Sequence, residues 1–118
     1  MHIIQNAAVF FIAIIHVWIM YLEMVLWTKP IGLKTFRIDA EFAQSSASLA
    51  KNQGLYNGFL AAGLFWSIFA SDPINFQLKI FFLSCVLVAG IYGALTASKK
   101  ILYVQALPAL IALILVFI

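Results

Sequence analysis

Four stretches of the chain are almost unbroken runs of apolar residues, separated by short polar segments. The first runs from about Ala7 to Trp27 and carries Phe10, Phe11, Ile12, Ile14, Ile15, Val17, Ile19 and Leu22. The others run from about Gly54 to Ala70, Phe76 to Ala97 and Ile101 to Ile118. A bilayer-crossing helix consumes roughly 20 apolar residues, so each run reads as one crossing, the second a little short. Each stop has a physical cause. Thr28-Lys29-Pro30 ends the first run, because charge is costly in lipid and proline cannot continue a helix. Ser71-Asp72-Pro73 ends the second, and Ser98-Lys99-Lys100 divides the third from the fourth. The expected fold is all-α, a transmembrane four-helix bundle that fills the chain as a single integral membrane domain.

The interval between the first two runs is long enough for structure of its own. Asp39 is placed to cap a helix N-terminus, with Glu41 favourable against the helix dipole. From Ala40 the sequence AEFAQSSASLAKNQG predicts a helix offering Phe42, Ala43, Leu49 and Ala50 as apolar contacts. It either lies at the membrane interface or runs straight into the second crossing, with Gly54 as the hinge.

Composition agrees with this pattern. Of 118 residues, 65% are hydrophobic and 9% charged, against about 45–50% and about 25% in soluble domains. That balance excludes a water-soluble globule, a disordered segment and a nucleic-acid-binding module. The single cysteine, Cys85, excludes a disulfide within the chain and a cysteine-rich metal site. The charges also set an orientation. Lys29, Lys34, Arg37 and Lys51 lie in the first loop and Lys99 and Lys100 in the third, while the second loop has only Lys79 near it. By the positive-inside rule the first and third loops are cytoplasmic and both termini lie on the outer side.

Polar groups within the apolar runs are the informative ones, because they are costly there. His16 and Glu23 are seven residues apart, on one helical face and about 10 Å apart along the axis. They are the candidate catalytic residues. Chain direction alternates between crossings, so the end of the first is level with the start of the second, the end of the third and the start of the fourth. Glu23, Gln53, Asn57, Tyr92, Thr96 and Gln105 are therefore expected at one depth, in a polar chamber open to the cytoplasm. His16 forms its deeper floor, and Gln53, Asn57, Tyr92, Thr96 and Gln105 are the candidate ligand-binding residues. The plainer reading is that the amides are interhelical hydrogen-bond glue and that Glu23 reaches the interface or pairs with Lys99 or Lys100.

Gly54, Gly58 and Ala62 form a row of small residues, as do Gly90 with Ala94 and Gly93 with Ala97. Such rows let helices approach closely, within the bundle or across a homodimer. Pro108 is expected to bend the fourth helix and free a carbonyl near Val104. Trp18, Trp27 and Trp66, with Tyr21 and Tyr103, read as interfacial anchors. No phosphate-binding glycine loop, nucleophile elbow or HExxH pair is present. His2 and His16 could supply a zinc or haem ligand pair only across a dimer, so the sequence assigns no cofactor.

The stretch HVWIMYLEMVLW from His16 to Trp27, the KPIG that follows Thr28, and NQGLYNGFLAAGL from Asn52 to Leu64 resemble the small prokaryotic membrane proteins of domain-of-unknown-function family 1304. The resemblance covers nearly the whole chain. It implies a four-helix, multi-pass protein of the bacterial cytoplasmic membrane and assigns no catalytic role.

Three functions then compete. In the first, the chamber binds or converts an amphiphile such as a lipid, isoprenoid or quinone, with Glu23 as acid, base or acceptor and Asn57 and Gln53 orienting the polar head. The second is a small proton-coupled transporter, which would need a dimer to form a pathway. The third is an accessory or assembly subunit that docks a larger membrane complex through its small-residue faces.

Overall fold

The computed structural model describes residues 2–118, and every regular element among them is helical. In chain order these are α1 (His2–Met24), α2 (Pro30–Phe36), α3 (Ala40–Phe69), α4 (Ile74–Thr96), a π-helical turn (Leu102–Ala106) and α5 (Leu107–Phe117).

α1 ends three residues before the expected Trp27. The N–H groups of both Val25 and Leu26 return to the Tyr21 carbonyl, and Lys29 N–H bonds the Leu26 carbonyl, which closes the chain into a turn. Pro30 then opens a helix rather than merely stopping one. It occupies the first position of α2, where its missing N–H is no loss and its fixed φ suits the helix. α2 is absent from the sequence-based expectation. Gly32 is buried in it because a Cβ there would collide with the Leu26 carbonyl oxygen. Arg37, in the left-handed region at φ 55° and ψ 49°, terminates α2 and donates its N–H to the Leu33 carbonyl.

Asp39 caps α3 as expected, its Oδ1 accepting the Phe42 N–H at 2.7 Å. α3 then continues for 30 residues, about 45 Å, straight through Gly54. There is no hinge at that glycine. α4 matches the third apolar run closely, and its end is closed by Ala97 and Ser98 N–H groups on the Gly93 carbonyl. Before Pro108 the helical ladder widens: Leu107 N–H reaches back five residues to the Leu102 carbonyl. Proline offers no N–H and its ring crowds the carbonyl four residues earlier, so the preceding turn expands to π geometry.

Two compact units share these helices. One comprises the chain up to Ile14 together with Leu60–Ile118, and the other Ile15–Phe59. In the first, four helices contribute to one core: Val9, Ile12 and Ala13 from α1, Leu64 from α3, Leu83 and Val86 from α4, and Ala109, Ala112 and Val116 from α5. Small residues allow close approach here. A Cβ on Gly90 would lie 2.6 Å from the Ala106 nitrogen, so α4 and the π-helical turn meet backbone to backbone.

α1 and α4 are long and apolar enough to cross a membrane, and only 28% and 22% of their most apolar windows is buried. Their remaining apolar side chains, among them Phe10, Phe11, Phe81, Val88 and Leu95, face outward. A soluble monomer rarely exposes contiguous apolar surface on this scale.

Candidate functional site

The site is built within the unit Ile15–Phe59, from the end of α1, the turn that follows, and the first two thirds of α3. Its geometry begins with glycine. A Cβ on Gly54 would lie 2.6 Å from Met24 Cγ, 3.1 Å from Glu23 Cβ and 3.1 Å from the Met20 carbonyl oxygen; one on Gly58 would lie 2.7 Å from Met20 Sδ. These two positions of the small-residue row therefore seat α3 directly on the last turn and a half of α1. That contact buries Glu23, which is 5% exposed. Asn57, one turn beyond Gly54, donates from Nδ2 to Glu23 Oε1 at 2.6 Å. The same amide lies 3.4 Å from the Gln53 carbonyl oxygen, a long secondary contact.

Trp27 fixes the turn from both sides. Its indole N–H donates to Ser46 Oγ on α3 at 3.1 Å, and its ring packs against Phe36 of α2 with centroids 4.8 Å apart. Ser46 Oγ in turn donates to the Phe42 carbonyl, which holds it in place as acceptor. Between the turn and α3 lies a cavity of about 470 Å³, lined by Glu23, Met24, Val25, Trp27, Thr28, Lys29, Ala47 and Lys51. A buried carboxylate, two lysines, a hydroxyl and apolar walls thus share one recess. Glu23 has capacity left, because a carboxylate offers about four acceptor positions and Asn57 uses one.

The expected chamber residues divide between the two units. Glu23, Asn57 and Gln53 are neighbours, although the Gln53 side chain is exposed and only its carbonyl approaches Asn57. His16 is fully buried on α1, two turns before Glu23. Tyr92 and Thr96 belong to the other unit and are exposed on α4, where Thr96 Oγ1 donates to the Tyr92 carbonyl at 2.8 Å. Gln105 also belongs there, half-buried in the π-helical turn.

Sequence reasoning missed Lys29 and Lys51, which it treated only as orienting charges, and it missed Lys79. Lys79 is not a span-end charge: it is 2% exposed, and its Nζ donates to Asn6 Oδ1 at 2.6 Å. The available signal was positional. Asn6 lies near the start of the first apolar run and Lys79 near the start of the third, and parallel crossings bring such positions level.

Comparison with known proteins gives two matches. A family model described as protein of unknown function (DUF1304) matches residues 10–117. The uncharacterized protein YpaA of Lactococcus lactis subsp. lactis (strain IL1403) is 36% identical over 99 residues, covering 82% of this chain and 82% of its own. No solved structure matches.

Proposed function

The chain belongs to the DUF1304 family, and from that premise we propose that it is a multi-pass membrane protein that binds or converts an amphipathic, lipid-like molecule beside Glu23. In this reading the four apolar runs all cross the bilayer as a four-helix bundle, with both termini outside and the loop containing α2 in the cytoplasm of a bacterial cell. The outward-facing apolar surfaces of α1 and α4 support the membrane setting. The concentration of Lys29, Lys34, Arg37 and Lys51 between α1 and the apolar part of α3 supports the orientation. The cavity then lies at the level of the inner leaflet's headgroups, where an amphiphile presents its polar end.

The observation that carries the reading is the buried Glu23 carboxylate, held by Asn57 and lining a recess with both charged and apolar walls. Buried ionisable groups in membrane segments are functional candidates by default. Asn57 orients one carboxylate oxygen, and the remaining acceptor positions take a donor from the ligand. Met24, Val25 and Ala47 provide the apolar walls. The test compares lipids that co-purify with the wild-type chain, E23Q and N57A. The expected result is one amphiphile enriched over the bulk membrane in the wild type and lost in E23Q. A wild-type profile identical to the bulk membrane overturns the proposal.

An accessory role has one observation in its favour. A shallow groove on α4, lined by Phe81, Ser84, Cys85, Val88, Ala89 and Tyr92, sets small residues between larger ones on an outward face. Such a face suits contact with another membrane helix. A stoichiometric partner retained through purification, together with no enriched amphiphile, would favour this second reading.

A further inference from the structure

The recess beside Glu23 holds more charge than a simple lipid-like ligand needs. Lys29, from the turn after α1, and Lys51, from α3, line it together with the carboxylate. Both lysines are exposed and Glu23 is buried, so the recess is acidic at depth and basic at its mouth. Its lining carries two positive charges and one negative. Each class of amphiphile meets that arrangement differently. A neutral head, as on a quinone or diglyceride, leaves both lysines without a complement. A fatty acid satisfies the lysines but brings a second carboxylate toward Glu23. A phosphate that carries a hydrogen-bond donor beyond it satisfies all three groups.

We infer that the recess binds a phosphate-bearing lipid headgroup, the phosphate held by Lys29 and Lys51 and a terminal ammonium or hydroxyl donating to Glu23. The inference rests on the amphiphile reading above and names its ligand class. The chemistry of each wall agrees. Lysine is a compact point charge well suited to phosphate oxygens. Basic residues at the cytoplasmic face attract phosphate-bearing headgroups. The Trp27 N–H is already engaged by Ser46, so its ring serves as an apolar wall. The Thr28 hydroxyl adds a neutral donor next to Lys29. A volume of about 470 Å³ falls within the 300–1,000 Å³ or so of small-molecule sites.

The experiment uses the full chain in a neutral detergent with Trp27 as the only tryptophan (W18F/W66F). Trp27 fluorescence is followed against dihexanoyl phosphatidylethanolamine, dihexanoyl phosphatidic acid, dihexanoylglycerol, a short-chain quinone and inorganic phosphate. The ethanolamine lipid is expected to bind at least tenfold tighter than the glyceride, which lacks phosphate, and than inorganic phosphate, which lacks the lipid. Each lysine-to-alanine change is expected to weaken it about fivefold, and K29A/K51A about 25-fold, with glyceride affinity unchanged. E23Q weakens the ethanolamine lipid and leaves phosphatidic acid, which has no donor beyond its phosphate, as tight or tighter. Both lysines are exposed, so these variants are expected to fold.

The inference is overturned if K29A/K51A leaves ethanolamine-lipid affinity within twofold, or if the glyceride binds equally well. Equal affinity for inorganic phosphate overturns the lipid source. The underlying amphiphile reading fails separately, when none of the lipids or the quinone changes Trp27 fluorescence.

Discussion

Replacing Gly90 by alanine places a methyl group 2.6 Å from the Ala106 nitrogen and 2.8 Å from its Cα and Cβ. Ordinary carbon contacts lie near 3.5–4.0 Å, so α4 and the π-helical turn must separate by on the order of 1 Å. No side-chain rotation relieves the clash, because the opposing atoms are mainly backbone. Overpacking of this kind costs about 1–3 kcal/mol, and alanine returns about 0.5–1 kcal/mol by restricting the unfolded helix backbone. The net expectation is a loss of about 1–2 kcal/mol. Gly58 is the internal control, since a Cβ there meets only the flexible Met20 side chain, with Sδ at 2.7 Å. The sulfur can swing aside, so G58A is expected to be neutral or slightly stabilising. Equilibrium unfolding in mixed detergent–SDS micelles, followed by far-UV circular dichroism, measures both. Equal stability of G90A and G58A would refute the argument that backbone proximity, rather than the presence of glycine, sets the cost.

Three further outcomes follow from the hydrogen bonds. A double-mutant cycle with E23Q and N57A is expected to give a coupling of about 0.6–1.7 kcal/mol, the range of interhelical hydrogen bonds in membrane proteins; unfolding free energies that simply add would remove the pair as a unit. D39A deletes the Phe42 cap and should cost about 1 kcal/mol, with faster hydrogen exchange confined to the first turn of α3; unchanged exchange there would count against the cap. N6A strands the buried Lys79 ammonium and should cost about 1–3 kcal/mol. K79M removes the charge together with its desolvation and should cost less, so a greater loss in K79M than in N6A would show that the ammonium itself stabilises the fold.

Much of this arrangement is legible in the chain because it depends on spacing. Uninterrupted apolar runs bounded by proline and lysine predict helices, and the all-α fold follows. Asp39 before a helical pattern predicts its own cap. Glu23 at the end of one run and Asn57 near the start of the next predict their meeting, because antiparallel neighbours joined by a loop bring such ends level. Gly54 is more instructive. As a flexible residue it reads as a hinge, whereas in the structure it is a contact surface in an unbroken helix, and only the presence of Met20, Glu23 and Met24 opposite distinguishes the two roles. α2 was illegible because seven residues carry too little periodicity, and Pro30 reads equally as a stop or a start. Lys79 was misjudged because an ammonium near a helix end usually reaches for water. The amide that holds it is 73 positions away, beyond any local pattern.

The π-helical turn before Pro108 fixes how residues are counted along the last helix. A π turn accommodates one residue more than an α turn over the same stretch. Ala106, Ala109, Ala112 and Val116 form the buried edge beyond it. Deleting one residue between Leu102 and Ala106 would leave the composition, length and hydropathy of the segment almost unchanged. It would also rotate everything downstream by about 100°, the angle of a single helical residue. Leu110, Ile111 and Ile114, now exposed, would compete for the place where alanines lie against α4. The extra residue therefore acts as a phase setting, and a one-codon deletion in this apolar segment should be far more damaging than most substitutions in it.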